Sequence, residues 1–386
     1  LALVATGAVV AALAGWWQLD RLFVGGLDVP IDFAEYWTAG YLNAAGHNPA
    51  AAAACLARDR RSTVIGASVS TRGRMAGSSS VSRLMLLDAA SLYFRAFYGV
   101  PESMTAPDGT PVNAVRGLLD FIARLVTVRK PERLIACLDE DWRPAFRVAA
   151  VPSYKAHRLL NAARNIEDVP PALVAQVPLI LDVLDALGLA HVGAPGFEAD
   201  DVIGTLAARD PGPVDVVTGD RDLFQVVDDS RDVRVLYTAR GVERHEVVDE
   251  SVVSAKYAIP GRAYAAFATL RGDPSDGLPG VAGVGDKTAA TLVSRFGDID
   301  GLLAAVDDPT SDLAPTLRRK LADARDNLAV APLVVAVRTD VPVPEIDTKL
   351  PSEPRDPEAL VELGEQWNLD SSLNRVLTAV ASVRSR

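Results

Sequence analysis

The sequence predicts an α/β fold: a mainly parallel sheet covered by helices on both faces, followed by a mostly helical region. Three observations carry this. Short apolar runs, LMLLD (84–88), RLIACLD (133–139) and PVDVVTGD (213–220), recur along the chain. Each is apolar at successive positions rather than alternate ones, as in a strand buried on both faces. Helical stretches near 112–128 and 199–209 lie between them and are long enough for crossovers between parallel strands. Residues 264–331 then read as helices broken by turns at 272–285 and 297.

A chain of 386 residues has room for two or more domains. With 49% hydrophobic residues, extensive disorder is excluded. The net charge of −11 excludes a polyanion binder held by bulk charge, though not a local basic patch. Cys55 and Cys137 lie far apart with no CxxC, which argues against disulfide or zinc frameworks and leads us to expect a cytoplasmic protein. Residues 1–19 carry no charge and approach the length of a membrane span, but lack the basic start of a secretory signal. DFAEYWTAGYLNAAGHNPA (32–50) vaguely resembles the start of a membrane glycosyltransferase, and nothing after residue 84 supports that reading. A Ser/Gly/Thr/Arg-rich linker without acids occupies 60–83. The expected division is an extension and linker at 1–79, a catalytic core at 80–245, a helical region at 246–350 and a tail at 351–386. Residues 1–74 are expected to lie outside the working enzyme, with Met75 as a plausible start.

Each apolar run ends in or just before an acid: Asp88, Asp139 and Asp220. The carboxyl ends of parallel strands line the ligand crevice of an open α/β sheet, so these three are expected to converge. GFEADDVIG adds Glu198, Asp200 and Asp201 at a helix start, TGDRD adds Asp222, and RGDPSDGLPG adds Asp273 and Asp276. Taken singly, such acids are most often caps or turn residues. Gathered at one crevice they would repel each other unless divalent cations were present. One magnesium ion needs only one or two carboxylates, so this many acids suggests two or more ions, the arrangement that assists phosphoryl displacement.

Residues 142–166 contain no acid but carry Arg143, Arg147, Lys155, Arg158 and Arg164, with Tyr154 among them. The stretch reads as an electropositive element for phosphates, with Tyr154 available to stack on a base; a solvated basic face is the bland alternative. Arg95, soon after Asp88, is placed to reach a scissile phosphate. In LPGVAGVGDKTAATLVSRFG (278–297), Gly280, Gly283 and Gly285 allow a tight turn before a helix. Its backbone N–H groups could hold a DNA phosphate, with Lys287 adding charge.

Together LLDAASLYFRAF, LDEDWRPAFR, PSYKAHR, GFEADDVIGTLA, TGDRDLFQ and GDPSDGLPGVAGVGDKTA resemble, in order and spacing, the 5′-nuclease family of flap endonucleases and the N-terminal nuclease domain of bacterial DNA polymerase I. The resemblance runs from about residue 84 to about 344. It implies a PIN-like nuclease core with a helix–hairpin–helix DNA-binding region, acting as a 5′-3′ exonuclease and flap endonuclease in replication and repair. It further implies two or more Mg2+ or Mn2+ ions held by Asp88, Asp139, Glu198, Asp200, Asp201, Asp220, Asp222, Asp273 and Asp276. Arg95, Lys155 and Arg158 would act on the scissile phosphate, and Arg143, Arg147 and Tyr154 would handle the 5′ end. The glycine turn, with a K+ ion, would hold double-stranded, 5′-flap or nicked DNA. Gly277 stands where the family usually has Asn, and Arg221 where it often has Lys. On this reading Asp201→Asn abolishes cleavage while leaving DNA binding largely intact. No polymerase-sized segment follows in this sequence. A non-cutting DNA binder and a toxin-type RNA-cutting domain are the rivals; the full acid set argues against the first, and the basic stretch and glycine turn against the second.

Overall fold

The computed structural model describes residues 82–161 and 165–384. β1 (Leu84–Asp88) leads into α1 (Ala89–Gly99) and α2 (Asn113–Arg129), and β2 (Arg133–Cys137) returns parallel to β1. Next come α3 (Ala145–Ala150) and a small hairpin of β3 (Leu159–Asn161) and β4 (Ile166–Glu167). α4 (Pro171–Val174) and α5 (Gln176–Leu187) lead to β5 (Ala190–Val192), and α6 (Ala199–Arg209) leads to β6 (Val214–Thr218). β7 (Val233–Tyr237) and β8 (Glu246–Val248) complete a six-stranded sheet in the order β5-β2-β1-β6-β7-β8. All its pairings are parallel except β7 with β8.

β1 is buried at every position, and its side chains alternate between two cores. Leu84 and Leu86 enter one; Met85 and Leu87 enter the other. β1 therefore has no wet face, which is why it reads as an unbroken apolar run. Near the start of β6, buried Asp215 receives Arg83 at 2.8 Å, Arg129 at 3.0 Å and Arg234 at 2.9 Å. That cluster lies at the opposite end of the strand from Asp220.

The helical region comprises α7 (Glu250–Tyr257), α8 (Tyr264–Arg271), α9 (Asp286–Phe296), α10 (Ile299–Asp307), α11 (Pro315–Asp323), α12 (Arg325–Val330) and α13 (Pro332–Val335). Its apolar residues Phe267, Leu270, Leu292, Leu321 and Val335 join the same core as Leu84 and Leu86. The expected break at 245/246 is corrected: β8 follows it and still pairs with β7. Residues 351–386, expected as a tail, hold α14 (Pro357–Trp367) and α15 (Asp370–Arg384). Leu360, Leu373, Val376 and Val380 bury these two helices in the core that contains α2, and Arg375 grips Asp120 of α2 at 2.9 and 3.0 Å. Among the described residues no helix is long and apolar enough to cross a membrane. The apolar opening run, the linker, Met75 and Cys55 lie outside the described residues.

Candidate active site

Asp88 ends β1 and caps α1, accepting the Ser91 N–H at 3.0 Å and the Thr218 hydroxyl at 2.7 Å. Register places Asp88 opposite Cys137, so Asp139 follows the neighbouring strand end by two residues. Asp139 accepts the Ala199 N–H at 2.6 Å, tying the end of β2 to the start of α6. Beyond β6, the Asp220 N–H donates to the Thr218 hydroxyl at 2.9 Å, and the Asp222 N–H donates to Asp220 at 2.6 Å. Asp88, Thr218 and Asp220 thus form one linked chain across adjacent strands. Burial pushes the Cys137 thiol well above its ordinary range, and the charges of Asp88, Asp200 and Asp139 push it further. Asp88, Asp139 and Asp200 thus each bear electrostatically on one buried thiol.

Glu198 and Asp201 have a different environment. Glu198 accepts the Tyr154 hydroxyl at 2.8 Å and the Lys155 ammonium at 2.8 Å. Arg147 Nη1 lies 3.1 Å from Glu198, close enough for an ion pair but not aligned as a hydrogen bond. Asp201 is fully buried; one oxygen accepts Arg147 at 2.7 Å and the Arg338 N–H at 2.9 Å. Its other oxygen faces the Glu198 N–H at 3.4 Å, the reciprocal half of a capping box. Asp201 is thus paired with the buried Arg147 guanidinium and closes the capping box, which turns it toward the fold and away from the metal-binding role expected for it. Asp200, its half-buried neighbour, contributes to the upward push on the Cys137 thiol.

The basic stretch is not a solvated face. Lys155 and Arg158 are buried, Arg158 pairing with Asp276 at 3.2 Å. Arg143 is buried too, donating to the carbonyls of Tyr154 at 2.5 Å and Pro152 at 2.8 Å, so it staples its own loop. Tyr154 is 2% exposed with its hydroxyl on Glu198; the expectation that it stacks on a base is corrected, because its ring belongs to the core. Arg95 is half-buried, and its Nη1 approaches the Ala239 carbonyl at 3.5 Å. Asp273 accepts the Ser275 N–H at 2.8 Å and lies 3.4 Å from Arg271.

Sequence reasoning missed Glu167, which directly follows the basic stretch. It is 3% exposed, and neither carboxyl oxygen has a hydrogen-bond partner among the described residues. Burial pushes it up to about 9, against the pull of Arg158 and Lys155. Its position next to an acid-free run was the available signal.

The glycine turn leaves α8 and enters α9. Val281 N–H donates back to Leu270 at 2.9 Å, and a Cβ at Gly280 would overlap the Arg271 carbonyl. α9 makes its first bond from Ala289 N–H to Gly285 at 2.9 Å, so the amides of Asp286, Lys287 and Thr288 precede the helical ladder. Gly283, Gly285 and Lys287 are exposed. Two open grooves flank α9 and share Lys287, Thr291 and Arg295.

Acids at the carboxyl ends of adjacent parallel strands, backed by a helical region with a glycine turn, define an α/β nuclease. Residues 83–258 match the 5′-3′ exonuclease N-terminal resolvase-like domain, and residues 259–358 match the 5′-3′ exonuclease C-terminal SAM fold. A 5′-3′ exonuclease of Streptomyces coelicolor is 59% identical over 301 residues, covering 77% of this chain and all of that protein. One of Mycobacterium tuberculosis is 51% identical over 312 residues, covering 78% of this chain and 98% of its own. DNA polymerase I of Mycobacterium bovis is 39% identical over 277 residues, which are 71% of this chain and 29% of the polymerase. A crystal structure of a T5 protein with metal ions shares the fold at TM-score 0.50 and 14% identity, covering 78% of this chain and 99% of that one. The chain belongs to the 5′-3′ exonuclease family, whose members include the nuclease portion of DNA polymerase I. It is a hydrolase of phosphodiester bonds that acts on DNA.

Proposed function

We propose that this exonuclease is divalent-metal-dependent, that it both trims 5′ ends and incises 5′ flaps of duplex or branched DNA, and that it serves replication and repair. The observation that carries the metal dependence is the placement of Asp88 at the end of β1, with Asp139 and Asp220 each two residues past the ends of its parallel neighbours β2 and β6. Carboxylates so gathered favour a bound cation over mutual repulsion.

The donor chemistry fits the cation. The strand-end ligands are hard carboxylate oxygens, suited to Mg2+ or Mn2+. Among the described residues no three acidic, His or Cys side chains already form a cage. Asp88, Asp139, Asp200, Asp220 and Asp222 would hold the ions, with Glu198, Asp273 and Asp276 at the margin where cations already pair with acids. Bound there, two or more ions would supply an activated water and neutralise the leaving oxygen. Lys155 and Arg158, fixed by burial, orient the scissile phosphate and offset its developing charge, and Arg95 adds a further positive group from α1. Arg143, Arg147 and Tyr154 act beneath them, holding the loop and Glu198 in place. The amides of the 280–288 turn and the Lys287 side chain would hold a phosphate of the duplex, where a K+ ion, once bound, would add positive charge.

Cleavage mapping on end-labelled flap, nicked and blunt DNA tests this reading. It expects magnesium-dependent products from the 5′ end of all three and a cut near the junction of the flap. Release from 3′ ends, or cutting that persists in a chelator, overturns it.

A further inference from the structure

Gly277 departs from the family's usual Asn and occupies the contact between the basic stretch and the acidic turn. Its φ is +67°, a region L side chains rarely adopt. Asn tolerates that angle better than other residues, so backbone conformation alone does not demand glycine. Space does: a Cβ at 277 would fall closer than 3.0 Å to the Ser153 carbonyl oxygen, inside any distance real Cβ atoms keep, and that oxygen is backbone and cannot rotate away.

The contact is made by hydrogen bonds on all sides of this approach. Ser153 Oγ donates to the Gly277 carbonyl at 2.8 Å. The Lys155 N–H donates to the Asp276 carbonyl at 2.8 Å. Arg158 Nη2 donates to the Ser275 carbonyl at 2.9 Å and meets the Asp276 carboxylate at 3.2 Å. Lys155 itself has a left-handed backbone, φ +48°, a strained state for a non-glycine residue that surrounding structure must hold. The same backbone aims its ammonium at Glu198, 2.8 Å away. Segment 153–158 therefore takes its position from the turn 273–278, and the turn admits it only where residue 277 lacks a side chain.

We propose that Gly277 is a positioning residue, seating the basic stretch on the acidic turn so that Lys155 and Arg158 stand at the carboxylates. The inference rests on the reading above that these two cations act on the scissile phosphate. A side chain at 277 lifts the 153–158 backbone by a fraction of an ångström to about 1 Å, a displacement that costs chemistry about 10- to 100-fold where geometry is tight. DNA binding through the glycine turn 280–288 is left intact, so the loss falls on kcat and not on KM.

The test uses the full chain with Gly277→Ala, Gly277→Asn, the double variant Lys155→Ala/Arg158→Ala, and the combination of Gly277→Ala with that double variant. Steady-state cleavage of nicked DNA in Mg2+, DNA binding in chelator and thermal unfolding are measured for each. The expected result is a kcat about tenfold or more lower for both Gly277 variants, with KM and binding within about twofold. In the double-variant background Gly277→Ala should cost almost nothing further, whereas a general loss of stability would add in full. If the double variant cuts normally, the assignment of Lys155 and Arg158 fails. If the double variant is slow while the Gly277 variants cut normally, or their losses add, the Gly277 proposal alone fails. Should the Gly277 variants not fold, Ser153→Ala decides: it removes the hydroxyl bonded to Gly277 without adding an atom. It is expected to lower kcat about threefold at constant KM, and an unchanged kcat overturns the proposal.

Discussion

Asp200 and Asp201 are adjacent, equal in charge and predicted here to fail in opposite ways. Asp201→Asn changes shape little but removes a charge from a fully buried partner of Arg147. Breaking a buried pair costs roughly 3–5 kcal/mol when the remaining charge is stranded. Arg147 is not stranded, because it keeps Glu198 at 3.1 Å and the Val334 carbonyl at 3.0 Å. The Asn oxygen can still accept the Arg338 N–H, which lies 2.9 Å from the present carboxylate. The expected loss is therefore about 2 kcal/mol, or a Tm lower by about 3 °C for a folded unit of this size. Cleavage per folded molecule should stay within about threefold, since no group at the crevice is removed. Asp200→Asn should lower kcat by about 100-fold or more, because it removes one of the carboxylates proposed to hold the ions, in protein that remains folded. Circular-dichroism melts with initial rates measured well below Tm separate the two. Asp201→Asn with a normal Tm and no cleavage would refute the division, as would Asp200→Asn with normal turnover.

Asp215→Asn leaves Arg83, Arg129 and Arg234 around a neutral group and should cost about 3–5 kcal/mol in denaturant melts, with no change in rate per folded molecule. Glu167 is raised from its ordinary 4.5 to about 9, so the native state keeps a proton that the unfolded chain loses. Its contribution is fully present below pH 4.5 and is lost as pH rises to about 9. Glu167→Gln should therefore flatten the fall in stability with pH across that window by up to about 1.4 kcal/mol per pH unit; an unchanged slope in melts at several pH values contradicts it. Lys287→Ala, at the exposed glycine turn, should weaken DNA binding and reduce the slope of log K against log salt by about 0.9, measured by fluorescence anisotropy.

The strand-end acids were legible because two local signals agree: an unbroken apolar run marks a doubly covered strand, and its carboxyl end marks the crevice. Asp88, Asp139 and Asp220 needed nothing more. The split between Asp200 and Asp201 was available only in part. Glu198 and Asp201 have the spacing of a capping box, which turns the later acid back onto the helix start, but whether that competes with a metal depends on Arg147 and Arg338. The burial of the basic stretch was not legible because its partners lie outside any sequence window: Lys155 meets Glu198 across 43 residues, and Arg158 meets Asp276 across 118. Tyr154 was misread for the same reason. The polar surroundings that suggested a stacking aromatic are a buried network on Glu198. β8 is three residues long, too short for a periodic pattern, which is why the boundary fell before it. In residues 351–386 the apolar positions of α14 and α15 find their partner only in α2, far back in the chain.

The central claim is that the strand-end carboxylates act by holding divalent ions. The most direct measurement is Mn2+ binding to the protein by isothermal titration, comparing the wild type with Asp88→Asn and Asp139→Asn and running 5′-end release on the same preparations. The account predicts saturable binding that weakens at least about tenfold in each variant, together with loss of 5′ products. Undiminished binding in both variants, or 5′ release from the wild type in excess chelator, would contradict it.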